Sequence, residues 1–574
     1  MTLDWDALFL DLDSIEDMWK QFQLVLNYCV EQFVPKTNVI KPKTPWMNSF
    51  LRRVQRRKQN LYKQYKRSCN TITYARYIRC AKYYRIQFLL AKTNYEKKLF
   101  GKNNCKKKFY SYVKSQTKCH EIIPAIKTDN GLVDEPALMS ELFADAFCKS
   151  FTNDNGILPD YEIHGVNKMY KFCCDETMLI SAIKKMSNST ALDPQNFCAL
   201  FVKRIKCNIA KPVNMLLRKS FDQGALPSDW KIAKVTPKHK KGDKQICANY
   251  RSISLTSIFC KIAETLIRDQ VLQLLETNNL IPKNQHGFMP KRSVTTNLLS
   301  CMEDWHKNMD NGFQTDVIYI DFSKCFSSKS HQKLLYKLNC IALCDNALAW
   351  LRNFLLNRQQ YVCIDGCSSL MRYVKSGYPE GSVTGPILYL CYSLDMYLEI
   401  INSILSTFAD DSKLYRCIKS TDDHILLQND FDNIVKWAKE WQLNINASKT
   451  KVLIVGKTKI FHCYKLGESV LEIVTSIRDL GVIIQSSLTF TLQTNDVVKR
   501  AFHVIRQIFM NFKKHDIDFY RNMYVLYVRP ILESCSQIWN PLLKFNSDRI
   551  ENVQRHYTKR IPVLANLPYE ERLD

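Results

Sequence analysis

Ser406-Thr-Phe-Ala-Asp-Asp-Ser-Lys-Leu-Tyr415 is the stretch on which the reading of this chain turns. Apolar, β-prone residues flank two adjacent carboxylates, Asp410 and Asp411, a pattern that predicts the tip of a β-hairpin. Carboxylates packed side by side repel each other and cost free energy unless a cation neutralises them. A second acidic pair, Asp422-Asp423, lies in a polar stretch and reads as solvated surface, so context rather than pairing separates the two. Roughly 90 residues upstream of the first pair, Val317-Ile-Tyr-Ile-Asp-Phe-Ser-Lys-Cys-Phe326 predicts a strand of β-branched and aromatic residues ending in Asp321. A strand-end acid beside a hairpin-tip pair would make an oxygen-only site for two hard divalent ions. Taken alone, Asp321 could equally be an acid that merely ends a strand.

Between these segments lies Ser376-Gly-Tyr-Pro-Glu-Gly-Ser-Val-Thr-Gly-Pro386, followed by an apolar helical run through Tyr397. Gly377, Gly381 and Gly385 allow close backbone approach and a tight entry into a helix, although a Gly/Pro loop by itself is only a loop. From 218 to 485, short apolar strands alternate with helical patterns, which predicts an α+β core. Residues 119–217 read as a looser connecting region, with turn signals at 129–131 and 153–156. Beyond Ser486 the pattern is helical again, through Val497–Phe512 and Phe519–Leu532, over a final region of 486–574.

Residues 1–118 form an N-terminal segment of different character. Trp46 to Phe100 contains no Gly or Pro, and Tyr74, Tyr77, Ile78, Ala81, Tyr84 and Phe88 recur at helical spacing, so long helices are expected. The net charge is +27, and Leu51–Lys118 holds +20 of it: 21 Lys or Arg against one acid, Glu96. So concentrated an excess points to a polyanion, nucleic acid in the first place. A dozen aromatics interleave the cations there. They suit stacking on bases as well as packing on a neighbouring helix.

The 22 cysteines do not read as a disulfide framework. Met1–Asp13 is acidic rather than basic-then-apolar, so no secretory signal is seen, and no apolar run approaches the roughly 20 residues that span a bilayer. Free thiols and an intracellular setting are expected. No Cys or His spacing of a structural zinc site is present.

Taken in order, the motifs resemble a non-LTR (LINE-type, jockey-like) retrotransposon reverse transcriptase, over most of the chain. The resemblance runs through Leu226-Pro-Ser-Asp-Trp-Lys-Ile-Ala-Lys-Val-Thr-Pro-Lys238, Lys241-Gly-Asp, Asn249-Tyr-Arg-Ser-Ile-Ser-Leu255, Gln285-His-Gly-Phe288 and Lys291-Arg-Ser293. The Asp321 strand, the Pro379–Gly381 loop and Phe408-Ala-Asp-Asp411 are similar to that family's catalytic motifs. Trp437, Trp441 and Leu443-Asn-Ile-Asn-Ala-Ser-Lys-Thr450, then Asp479-Leu-Gly-Val482, resemble its later palm motif and primer-grip hairpin. Val528-Arg-Pro-Ile-Leu-Glu533, Trp539-Asn-Pro541 and Glu551-Asn-Val-Gln-Arg555 resemble its thumb-side signature, and Lys43-Thr-Pro-Trp46 the segment following its endonuclease.

The resemblance implies a right-hand polymerase: fingers and a palm with an antiparallel sheet at 218–485, a helical thumb at 486–574, and the basic helical region in front. It implies Asp321, Asp410 and Asp411 as ligands of two Mg²⁺ ions (Mn²⁺ as a substitute) and Lys449 as proton donor to the leaving pyrophosphate. Lys238, Arg251 and Gly381 would bind the nucleotide. Phe326 would be the steric gate against a ribose 2′-hydroxyl. Implied partners are an RNA template, a DNA primer or target, and dNTPs, with no membrane. A separate endonuclease is expected to be needed for transposition, and a ribonucleoprotein in nucleus or cytoplasm is the expected setting.

The chain departs from the family pattern at Cys325 and Ser327 (usually Ala and Asp), Glu380 (Gln), Ser252 (Pro) and Gln493 (often His). None removes a metal ligand, but Glu380 puts an anion where template or nucleotide approaches. Three other readings stay open on the residues: a degenerate copy that binds nucleic acid without turnover, an RNA-dependent RNA polymerase, and a membrane-surface protein using its basic helices.

Overall fold

The computed structural model of the chain describes residues 3–34, 44–99, 106–117, 123–129, 131–163, 166–169, 172–323, 325–512 and 515–573. Lys43, Asn130 and the expected boundary at 118–119 lie outside them. The chain divides into two compact units, Met1–Val34 with Ile123–Leu488, and Pro35–Ile122 with Thr489–Asp574.

Ten strands position the site in the first unit: β1 (Ile232–His239), β2 (Tyr250–Leu255), β3 (Gln314–Asp321), β4 (Gln359–Ile364), β5 (Ile404–Phe408), β6 (Asp411–Ile418), β7 (Lys451–Val455), β8 (Glu472–Val474), β9 (Ser476–Asp479) and β10 (Val482–Gln485). A five-stranded sheet runs in the order β8-β7-β3-β6-β5. Its pairings are antiparallel except β7 with β8. β3 is its middle strand, which explains its near-continuous apolar sequence: it is buried along almost its whole length. Helices Val294–Asp310 and Thr421–Glu440 pack on this sheet, with Trp305 edge-on to Tyr415 at 5.8 Å and Trp437 edge-on to Phe322 at 6.5 Å. A second sheet joins β1 antiparallel to β2 and parallel to β4. The fold is therefore mixed helix and sheet, with both strand senses present.

Asp423 is more than solvated surface. It closes a capping box with Ser420 at the start of Thr421–Glu440 and pairs with Arg416 at 2.7 Å. Asp422, beside it, is exposed.

The second unit is helical. Ser49–Ser68 and Thr71–Leu99 form a hairpin, joined where Cys69 turns left-handed (φ +46°) and the Asn70 side chain accepts from Ile72 N at 2.8 Å. Neither Gly nor Pro marks that break. Thr491–Asn511 carries the first helical pattern expected at the C-terminal end. The second is interrupted: helix Ile517–Met523 passes through a π-turn at Tyr524–Val528 before Arg529–Glu533. Pro530, which has no N–H to donate, sits at the start of the resumed helix and accounts for the local unwinding. Among the described residues no helix is long and apolar enough to cross a membrane.

Candidate active site

The register of β3 and β6 places Asp321 directly opposite Asp411. β5 and β6 close as a hairpin in which Phe408 pairs with Asp411, leaving Ala409 and Asp410 as the two turn residues. Ala409 sits at φ +58°, an uncommon conformation for a residue with a Cβ, so the turn must be held from outside. The brace is Asn284–Gly287. Thr407 N donates to Asn284 O at 3.1 Å and His286 N donates to Thr407 O at 2.9 Å, adding this segment to the edge of β5. Gly287 then lies so close that a Cβ there would stand 2.0 Å from Ala409 N. Buried Asn297 completes the brace, donating to Ser406 Oγ at 2.9 Å.

Asp321 is fixed by the stretch 443–450. Asn446 N donates to Asp321 O at 2.8 Å, and Asp321 N donates to Thr450 Oγ1 at 3.3 Å. That path brings Lys449 Nζ 3.2 Å from Asp321 Oδ2, with both side chains partly open to solvent. Asp411 is exposed by surface area, yet its surroundings are crowded. Partial burial, then the Asp410, Asp479 and Asp321 carboxylates, push its carboxyl up to about 6, against the pull of Lys413. Among the described residues no three His, Cys, Asp or Glu side chains close into a metal cage. The backbone thus converges on three acids while Asp321 is turned onto Lys449. All the donors are hard oxygens, and a divalent cation is what relieves such repulsion, so the donor chemistry fits one.

Lys238 and Arg251 are Cα partners across β1 and β2, both exposed and on one face, a like-charge pairing that an anion would stabilise. Gly381 rests on β2, where Ser254 N donates to Glu380 O at 2.8 Å. Burial raises the Glu380 carboxyl, Arg251 and Lys240 oppose that, and Asp410 adds to it, so Glu380 lies in the field of both these cations and the acidic turn. Phe326 is half-buried, and Gly377 (φ +71°) backs it: a Cβ at 377 would fall 2.3 Å from Phe326 O. Of the eight residues singled out, Asp321, Asp411 and Lys449 line one cavity of about 410 Å³. Asp410, Lys238, Arg251, Phe326 and Gly381 are not among its lining residues.

Residues 237–484 match the family described as Reverse transcriptase (RNA-dependent DNA polymerase). This matched segment covers less than half of the chain. All eight residues fall inside it. The chain is 25% identical over 413 residues, 69% of its length and 45% of the relative's, to the "Probable RNA-directed DNA polymerase from transposon BS" of Drosophila melanogaster. It is 26% identical over 365 residues, 60% of the chain and 39% of the relative, to the "RNA-directed DNA polymerase from mobile element jockey" of the same organism. A third relative there, the "Probable RNA-directed DNA polymerase from transposon X-element", is 24% identical over 391 residues, 66% of the chain and 43% of the relative. In each case the match spans less than half of the relative's own length.

The matched segment also holds a third acid lining the cavity, quoted above only as the start of a hairpin motif and not as a site residue. Asp479, at the end of β9, is buried and accepts from Lys413 Nζ at 2.6 Å and Tyr319 OH at 3.2 Å. Burial alone would lower the Lys413 ammonium, but Asp479 overrules it and holds it above the ordinary range. Strand parity could have found it. Lys413 shares a face with Asp411 and opposes Tyr319 on β3, so a buried lysine there needs a carboxylate from elsewhere.

Proposed function

We propose that this chain is the polymerase part of a non-LTR retroelement, an RNA-directed DNA polymerase that moves a nucleotidyl group from a dNTP to a primer 3′-hydroxyl. The observation that carries the reading is the register pairing of Asp321 with Asp411, one residue from Asp410, inside the domain matched as reverse transcriptase. In this reading β1 and β2 belong to the fingers, the β8-β7-β3-β6-β5 sheet is the palm, and 486–574 serves as a helical thumb. Asp321, Asp410 and Asp411 would hold two Mg²⁺ ions, or Mn²⁺, which lower the pKa of the attacking hydroxyl and offset charge on the leaving group.

The chain's own side chains then divide the remaining work. Lys238 and Arg251 neutralise the triphosphate. Phe326 leaves no room for a ribose 2′-hydroxyl. Lys449, which pairs with Asp321, would give a proton to the departing pyrophosphate. Template RNA, primer DNA and dNTPs are the substrates, a separate endonuclease supplies the nick, and the complex works as a ribonucleoprotein in nucleus or cytoplasm.

Primer extension on an RNA template with Mg²⁺ tests this. Asp410→Asn/Asp411→Asn should lower incorporation by roughly three orders of magnitude, about 4 kcal/mol of transition-state stabilisation. Equal and negligible incorporation by wild type and variant would leave a copy that binds nucleic acid without turnover. Preference for rNTPs would turn the reading to an RNA-dependent RNA polymerase.

A further inference from the structure

Four lysines are buried among the described residues: Lys329, Lys333, Lys337 and Lys413. Three reach oxygen acceptors. Lys333 donates to Ile157 O and Glu440 O, Lys337 to Asp395 and Tyr392 O, and Lys413 to Asp479. Lys329 is 1% exposed, and its Nζ has no hydrogen-bond partner among the described residues. Burying an ammonium in this way is costly, and a methionine would fill the same space without that cost. What Lys329 has instead is two rings: Nζ lies 4.3 Å from the centroid of Tyr389 and 4.2 Å from that of Tyr392. Cation–π attraction strengthens when the cation is desolvated, as here.

Tyr392 is anchored by its hydroxyl, which donates to Trp441 O at 2.6 Å. Tyr389 carries the contact onward. Its ring is stacked on Phe326 at 5.6 Å and 26°, while Tyr378 meets Phe326 edge-on at 5.4 Å. A continuous column, Tyr392–Lys329–Tyr389–Phe326, therefore runs from the core to the ring proposed above as the sugar gate. The Asp410 carboxylate is within electrostatic range of Lys329 and Tyr389, so the column ends beside the acidic turn.

We infer that Lys329 is a positioning residue whose ammonium pins the Tyr389 ring against Phe326 and thereby fixes the wall that a ribose 2′-hydroxyl would strike. The role in sugar selection rests on the polymerase reading above; the clamp itself does not.

Lys329→Met keeps the side chain's length and removes its charge. On an RNA template with a DNA primer, the ratio of kcat/KM for dNTP over rNTP should fall about tenfold, chiefly through a lower KM for rNTP. Tyr389→Leu should produce the same loss, and the double variant no further loss, because Lys329 acts through that ring. A single 4-fluorophenylalanine at position 326 supplies a readout that needs no turnover: its ¹⁹F line should broaden or move in Lys329→Met. An unmoved line in a variant shown to be folded by circular dichroism overturns the clamp. A moved line with unchanged sugar preference overturns the role in selection. If wild type incorporates no nucleotide, the polymerase reading fails and the fluorine line alone decides the clamp. Tyr389→Leu carries the same tests should Lys329→Met not fold.

Discussion

Lys413 and Lys329 are both buried, yet their neighbours set opposite titration behaviour. Asp479 holds the Lys413 ammonium above its ordinary range, whereas burial pushes Lys329 down to about 8. Below pH 8 Lys329 is protonated in folded and unfolded chains alike, and its full desolvation cost is present. Between about 8 and the unfolded value near 10.4 the unfolded chain binds the extra proton, so wild-type stability gains with pH from this group. Lys329→Met should therefore be the more stable protein at pH 7, by no more than about 3 kcal/mol, with the difference shrinking toward pH 10. Chemical denaturation of both proteins across that range measures it. Such a residue was not legible in the sequence, since a lysine in Ser327-Ser-Lys-Ser330 looks like surface. The aspartates were legible, because acids inside apolar strands contradict their surroundings. Gly287 and Asn297 were not, because their roles exist only once 284–287 lies along β5.

At the scale of elements, periodicity set out the basic helices and the strands, but it missed what interrupts them. The turn at Cys69–Asn70 depends on an Asn cap, and the π-turn at Tyr524–Val528 on Pro530 lying one turn inside an otherwise regular pattern. Of the two aromatic roles left open by the N-terminal sequence, packing on a neighbouring helix is met by part of the set. Tyr62 pairs with Tyr77 at 5.1 Å and Tyr65 with Tyr74 at 4.8 Å across the two helices, while Tyr83 stays 48% exposed. Arg57 from one helix and Arg76 and Arg79 from the other line a groove beside Tyr83. Three like charges converge there without an acid among the lining residues, as a phosphate backbone requires. Changing all three to Gln should weaken binding to single-stranded RNA and flatten the log–log salt slope by about 2, at about 0.7 for each phosphate no longer neutralised. Filter binding at several salt concentrations reads both; an unchanged slope would place the RNA elsewhere.

For the molecule as a whole, the unit that holds the candidate site is assembled from distant parts of the chain. Helix Ile15–Phe33 belongs to the same unit as Ile123–Leu488, and its buried face is aromatic. Trp19 is fully buried, edge-on to Trp230 at 5.5 Å and to Phe259 at 5.3 Å, and its Nε1 donates to Asp229 at 3.0 Å. Trp230 stands two residues before the strand β1 that carries Lys238, and Phe259 is the second residue of the helix Ile258–Thr277 that follows β2 and Arg251. An N-terminal helix about 200 residues away in sequence thus braces the entry to β1 and the start of the helix that follows β2. Trp19→Ala removes a large buried ring, leaves a cavity and leaves Asp229 with Gln23 as its side-chain donor, a combination expected to cost about 3–5 kcal/mol. Two measurements separate local from global damage. Urea denaturation should show the loss of stability. Under conditions where the variant remains folded, KM for dNTP should rise more than kcat falls, because β1 and β2 loosen while Asp321, Asp410 and Asp411 are held by β3, β5 and β6. An equal fall in kcat at unchanged KM would mean that the helix supports the acids rather than β1 and β2.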